Sequence, residues 1–279
     1  MSLQGKTLFI TGASRGIGRE IALRAARDGA NIVIAAKSAE PHAKLPGTIH
    51  SVAAEVEAAG GKALALQLDV RDENAVKAAM AQAAEHFGGI DALINNAGAI
   101  KLVGVEKLEP KRFDLMFQIN TRAVMVCSQA ALPYLKSSSA AGKQSGGHIL
   151  SLSPPLNLDP KWFASYGPYT TTKYGMSMLT LGMHEEFRKY GISVNSLWPK
   201  TVIATAAIEF EAGGPAVMKA ARLPAIMADA AYAILSSEGR SLSGRLLIDE
   251  KILREQGQSE FEQYRYDPAG KLMTDLFVD

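Results

Sequence analysis

Only one cysteine, Cys127, stands among the 279 residues, which excludes an intrachain disulfide and a multi-cysteine metal site and suits a reducing compartment. It lies in the apolar helical stretch AVMVCSQAAL, where a buried thiol packs as a small hydrophobe; no metal centre is expected. Long runs of one charge are missing as well. The 30 Lys and Arg nearly balance 28 Asp and Glu, for a formal net charge of +2, so nothing electrostatic calls for nucleic acid or an anionic membrane. No apolar run is long enough to cross a bilayer, and the segment MSLQGKTLFITGAS is too brief for a secretory signal. The final Phe277-Val278-Asp279 is not a peroxisomal address, and a cytoplasmic protein is expected. No internal repeat is visible.

What is present is enough apolar material, 47% of residues, for one large core. Short apolar runs at Thr7–Ile10, Asn31–Ala36, Ala63–Leu68, Ala92–Ile94, His148–Leu152, Ser193–Leu197 and Arg245–Ile248 alternate with longer stretches of helical period. Ile17, Ile21 and Ala25 recur at intervals of four before Gly29, and Val76, Met80, Ala83 and Phe87 repeat the pattern. Such alternation predicts βαβ units in an α/β fold: one doubly wound parallel sheet, a Rossmann fold with helices on both faces. A single domain is expected over residues 1–279, with an extension from about residue 250. Three segments interrupt the alternation: Ser38–His50 with its two prolines, a Ser/Gly-rich surface loop at Ser137–Gly147, and Val202–Pro224, placed to act as a lid over a substrate.

The first strand runs directly into Thr11-Gly12-Ala13-Ser14-Arg15-Gly16-Ile17-Gly18 and then a helix. A glycine turn at a helix start lets backbone N–H groups approach a pyrophosphate, whose charge the helix dipole favours. The spacing is G-x-x-x-G-x-G rather than G-x-G-x-x-G, so the strand-turn-helix context carries the reading. Nothing acidic closes the second strand, NIVIAAKS, where an NAD site would offer a carboxylate to the ribose 2′-hydroxyl. Lys37 stands there instead, and Arg15 can reach the same spot; two cations favour a 2′-phosphate, hence NADP rather than NAD. Asp69 and Val70 close the third strand, and Asn95, Asn96, Ala97 and Gly98 close the fourth, all at the same rim. Asp69 is a candidate acceptor for the adenine amino group, and the Asn-Asn-Ala-Gly turn a brace for the cofactor channel.

Of the eight tyrosines, only Tyr169 has a lysine four residues on, Lys173. On a helix this interval puts both heads on one face. A phenol, with a reference pKa of about 10, is a poor proton carrier at neutral pH, and a nearby ammonium lowers that pKa. Beside a cofactor turn the pair becomes a catalytic candidate.

TGASRGIG, NNAG, Asn120 and Tyr169-Thr-Thr-Thr-Lys173, in this order, resemble the short-chain dehydrogenase/reductase family over nearly the whole chain. NIVIAAKSAEPHAKLPGTIH, SPPLNLDPKWF and SLWPKT resemble its type-2 hydroxysteroid dehydrogenase-like branch. The resemblance implies hydride exchange between nicotinamide C4 and a carbonyl or carbinol carbon, with Tyr169 as acid/base. It implies that Lys173 also holds the nicotinamide ribose hydroxyls, that Asn120 fixes a proton-relaying water, and that a serine binds the substrate oxygen. Gly12, Arg15, Ile17, Lys37, Asp69 and Asn95 match cofactor-contacting positions; Ser14, Gly16, Gly18, Val70, Asn96, Ala97, Gly98, Pro199 and Val202 complete the expected set. A homodimer or homotetramer through the helices around Asn120 and Tyr169 is also implied.

The chain departs from that pattern in three places. The fifth strand ends Ser151-Leu152-Ser153-Pro154-Pro155, so an ungapped alignment puts Pro154 at the serine position and leaves Ser153 as the candidate. Pro199-Lys200-Thr201 replaces the usual Pro-Gly, so the lid is expected to start at a different angle, with Val202 or Ile203 facing the carboxamide. Ile248-Asp249-Glu250 replaces Asp-Gly, and the long tail beyond it is a candidate to wrap a neighbouring subunit. Leu156, Leu158, Trp162, Phe163, Ile208, Phe210 and Met218 are candidate walls for a lipid- or steroid-like carbonyl or alcohol. Two other readings stay open: an NADP(H)-binding sensor or interaction protein with little turnover, and a scaffold for some other phosphate compound.

Overall fold

The computed structural model describes residues 2–42, 45–140, 146–211, 213–237 and 241–279. Seven strands form its sheet: β1 (Thr7–Thr11), β2 (Asn31–Ala36), β3 (Lys62–Gln67), β4 (Ala92–Asn95), β5 (His148–Ser151), β6 (Ser193–Trp198) and β7 (Leu246–Ile248). All pairings are parallel, in the order β3-β2-β1-β4-β5-β6-β7. Between the strands run α1 (Gly16–Ala26), α2 (Ile49–Ala58), α3 (Glu73–Phe87), α4 (Pro110–Phe117), α5 (Ala123–Ala140), α6 (Lys161–Ala164) and α7 (Gly167–Phe187). After β6 come α8 (Ala206–Glu211), α9 (Gly214–Lys219) and α10 (Ala225–Leu235), and after β7 α11 (Asp249–Glu255).

Both faces of the sheet are covered, which is why its strands read as continuous apolar runs. Alternate residues of β1 serve opposite cores. Leu8 and Ile10 pack with Ile32 and Ile34 beneath α1, α2, α10 and α11. Phe9 packs with Val33 and Leu93 against α3, α5 and α7. Asp72 caps α3 by accepting hydrogen bonds from the Asn74 and Ala75 amides, and Gly88 at φ 79° ends it. The strand order reverses between β1 and β4, so a crevice opens beyond their carboxyl ends.

One expectation is corrected. Ser137–Ala140 are the last residues of α5 rather than loop: Ser137 and Ser139 donate back to the carbonyls of Pro133 and Leu135, which satisfies their hydroxyls without breaking the helix. Residues 141–145 of that expected loop lie outside the described residues, as do 43–44 and 212 of the other two interruptions. The tail folds over its own chain, where Phe277 is 1% exposed among Tyr169, Tyr174 and Trp198.

Candidate active site

The glycine turn is held open by geometry that only glycine satisfies. Gly12 and Gly16 sit at φ 68° and 59°, where a side chain is strained. A Cβ on Gly12 would lie 2.9 Å from the Ala97 Cα, and one on Gly18 2.4 Å from the Asn96 Nδ2. That amide donates to the carbonyls of Thr11 and Gly12, so Asn96 ties the turn to the end of β4. Thr11 Oγ1 accepts from the Asn96 and Ala97 amides. The neighbouring Asn95 points elsewhere, toward Ser128, and Gly18 packs under the turn rather than lining the crevice.

Over this turn lies a trough of about 630 Å³ lined by Gly12, Ser14, Arg15, Gly16 and Ile17 from the turn, with Lys37, Asp69, Val70, Asn96, Ala97 and Gly98 along its rim. Its dimensions and glycine cradle fit a dinucleotide. Arg15 is oriented by the carbonyls of Pro46 and Gly47 and by the Ser38 hydroxyl. Lys37 pairs with Asp69 at 3.3 Å. Asp69 is also gripped through both oxygens by Arg71, and this guanidinium, more than Lys37, holds its carboxyl well below the usual range. Asp69 is therefore already occupied by cations, so an adenine amino group there competes with Arg71.

The trough continues into an inner cavity of about 300 Å³. Ile17, Asn96, Gly98, Thr205 and Ala207 form walls of both. Tyr169 and Lys173, both only 6% exposed, line this cavity together with Leu152, Trp198, Pro199 and Val202, so the pair is no surface decoration. Lys173 Nζ donates to the Leu152 carbonyl at 2.6 Å. Burial pushes its ammonium down to about 7, opposed by the carboxylate of Asp275. The expected depression of the Tyr169 pKa is reversed: burial, then Asp275, push the phenol above its ordinary value. A proton is thus held on the tyrosine rather than withdrawn from it.

Other expected residues stand off the cavity. Ser153 is fully buried with its hydroxyl unpartnered, and Leu152, not Ser153, reaches the wall. Asn120 sits in a single π-helical turn, Gln118–Arg122, which rotates it inward. Its amide is engaged by both backbone groups of Ala99 and by the Thr172 hydroxyl. Val202 lines the cavity, but its N–H donates to Met273 and its carbonyl accepts from Arg222; its backbone is thereby taken, which leaves Ile203 to face a carboxamide. Of the expected apolar walls only Ile208 reaches the cavity, joined by Ile100, Leu102, Val217, Met227, Met273 and Leu276. Phe210 lines the trough. Leu158 and Phe163 line an outer groove with Phe117 and Met178, while Leu156 and Trp162 pack around Phe277.

Residues 6–212 match the short chain dehydrogenase family. The chain belongs to that family. Hydroxysteroid dehydrogenase-like protein 2 of Xenopus tropicalis is 55% identical over 277 residues, 99% of this chain but 64% of its own length, and the human protein of that name is 53% identical over the same share. The chain thus falls in the hydroxysteroid dehydrogenase-like branch and spans a little under two thirds of these curated relatives. A crystal structure of a Xanthomonas campestris protein superposes with a TM-score of 0.94 at 52% identity, covering 100% of both chains. More distant family members differ in cofactor. Carveol dehydrogenase from Mycobacterium avium, 25% identical with a TM-score of 0.73 over 88% of this chain and 96% of its own, was solved with NAD. A metagenomic short-chain oxidoreductase, 25% identical with a TM-score of 0.72 over 89% and 98%, was solved with NADP. No helix among the described residues is long and apolar enough to cross a membrane.

Where this chain departs from the usual family pattern, the departures lock together. Lys200, in place of glycine, donates its N–H to the Asp249 carboxylate and accepts at its carbonyl from the Asp275 amide. Its ammonium and the guanidinium groups of Arg222 and Arg254 all meet Glu250. The tail then runs along the start of the lid: Thr274 bridges Thr201 antiparallel, and Trp198 Nε1 donates to the Leu276 carbonyl at 2.9 Å. Met273, Thr274, Asp275 and Leu276 thereby become cavity wall. Sequence reasoning missed all four, because nothing local to them signals a site; the only hint was a tail longer than the fold needs.

Proposed function

We propose that the protein is an NADP-dependent reductase of apolar carbonyl compounds that also oxidises the corresponding secondary alcohols. Tyr169 and Lys173 buried on one wall of an apolar cavity continuous with a nucleotide-sized trough is the observation that supports this reading most. A bound nicotinamide supplies the hydride in reduction and takes it up in oxidation. Tyr169 gives its phenolic proton to the carbonyl oxygen as the carbon gains hydride; burial holds that proton on the phenol until then, at a cost to its strength as an acid. Lys173, anchored on the Leu152 carbonyl, directs its remaining N–H groups to the nicotinamide ribose. Asn120 braces the π turn against α7 behind them and marks the side from which the tyrosine is reprotonated.

At the trough's far end Arg15, Lys37 and Ser38 form a donor set suited to a 2′-phosphate. The outer groove between α4 and α7 leaves Met178 58% and Leu158 74% exposed, and a second copy of the chain is its proposed cover, giving a homodimer or homotetramer. Among the described residues no serine hydroxyl lines the cavity wall, which favours a second reading, an NADP(H)-binding sensor with weak turnover. A spectrophotometric screen of NADPH oxidation over aliphatic, fatty-acyl and steroid carbonyls separates the two. The reductase oxidises NADPH with apolar members of the panel. A protein that binds NADPH, oxidises none of it and is indifferent to Tyr169→Phe is the sensor.

A further inference from the structure

The inner cavity carries few polar atoms that the protein itself does not already use. The Asn96 amide is tied to the turn and the Lys173 ammonium to Leu152. Asp275 differs. One of its carboxyl oxygens accepts from the next amide, that of Leu276, at 2.7 Å; among the described residues no other hydrogen bond reaches its side chain, and no cation lies within ion-pair distance. It lines the same wall as Tyr169 and Lys173. A carboxylate facing an apolar cavity is costly unless a donor meets it there, and burial accordingly pushes the Asp275 carboxyl up to about 7, so it is an anionic acceptor above that pH.

Nor is Asp275 on a loose end. Its own N–H donates to Lys200, Met273 accepts from Val202, and Leu276 accepts from Trp198. Phe277 is stacked 6.3 Å from the Tyr169 ring centroid and held at φ 70°, a conformation that persists only where the surroundings over-determine it. Asp279 closes the strap on Asn157 and Lys161. The ionisable groups coupled to Asp275 are Tyr166 just before α7, Tyr169 and Lys173 of α7 and Asp249 of α11, of which Lys173 alone is cationic.

We propose that the strap is a built part of the substrate site and that Asp275 is its specificity-determining residue, whose outward carboxyl oxygen accepts a hydrogen bond from a hydroxyl carried by the substrate close to its reacting carbonyl. The preferred class is then apolar hydroxyketones and the matching diols, and substrates with an anionic group at that position are rejected. This rests on the oxidoreductase reading above for its reaction, but not for its recognition.

The test is a matched pair, a medium-chain alkyl ketone and its hydroxyketone, compared as kcat/KM with NADPH for the native protein, Asp275→Leu and Asp275→Asn. The native protein is expected to favour the hydroxyketone by about tenfold or more, a difference typical of one hydrogen bond to a charged group. Asp275→Leu brings the ratio to about one, and Asp275→Asn, which keeps an acceptor, restores part of it. Calorimetry of the corresponding diol and mono-alcohol with the NADPH-loaded protein reads the same preference without turnover. If no carbonyl is reduced, the reductase reading fails, and the calorimetry alone decides recognition. Equal native affinities for diol and mono-alcohol, or a preference that survives in Asp275→Leu, overturn the proposal. Thermal melts of both variants show whether the fold is retained.

Discussion

At the nucleotide end of the cleft, the framework is backbone and glycine within one short stretch, Thr11 to Gly18, and its neighbour at the end of β4, with Arg15, Lys37 and Asp69 along the rim. At the substrate end they come from side chains brought together from β5, α7, the start of the lid and the last residues of the chain. The first arrangement tolerates little change, because Gly12 and Gly16 are fixed by φ and Gly12 and Gly18 by close approach. The second departs from the usual pattern: Lys200 stands in place of the glycine of Pro-Gly, Ile248-Asp249-Glu250 in place of Asp-Gly, and the strap, residues 273–279, hydrogen-bonds to Lys200. The family match, residues 6–212, takes in both the glycine turn and the Tyr169/Lys173 pair, whereas the strap lies beyond it.

Substitutions can break that division. Phe277→Ala removes a fully buried ring from the aromatic cluster around Tyr169 and is expected to cost roughly 3–5 kcal/mol, read as a lowered thermal midpoint. It should also raise KM for the carbonyl while leaving the NADPH Kd unchanged, since no residue of the strap lines the trough. Gly12→Ala does the converse. The positive φ and the approach to Ala97 weaken NADPH by about tenfold or more in a fluorescence titration, with the strap intact.

Lys37→Ala sharpens the nucleotide end by itself. NADPH binding falls by about tenfold, the order expected for a charge-assisted hydrogen bond, while NADH is little affected; equal losses for both would remove the 2′-phosphate reading. The smallest effect is on pH. Burial lowers the Lys173 pKa and Asp275 raises it, so Asp275→Asn lets it fall further. If the ammonium is required, activity is lost as pH rises through that pKa, and the alkaline limb of kcat/KM moves to lower pH in the variant.

The sheet was legible in the sequence because each strand is an apolar run closed by a polar or glycine turn. Leu68 and Leu152 read as strand because both are buried and their N–H groups still donate across the sheet, to Ala36 and Asn95, one residue past the strand ends. The turn was legible because its demands are local to TGASRGIG. Tyr169 and Lys173 were legible because helical spacing alone puts them on one face. Ser137–Ala140 read as loop because serine's return bonds to the preceding turn have no signature in composition. The strap was illegible for a different reason. The partners of residues 273–279 are Lys200, Val202 and Trp198 in one place and Asn157 and Lys161 in another, and no periodicity connects segments so far apart in the chain. The raised pKa of Tyr169 was hidden likewise, since it depends on burial beneath Phe277 and on Asp275 rather than on the Tyr/Lys interval.

The central claim is that Tyr169 delivers a proton to a carbonyl as hydride arrives from a bound nicotinamide. A single-turnover experiment with NADPH deuterated at C4 and an apolar ketone tests it most directly. The account predicts deuterium on the product carbinol carbon, and a rate lower by about 10²–10⁴ in Tyr169→Phe with NADPH affinity preserved. Deuterium transfer at the native rate in Tyr169→Phe would contradict it.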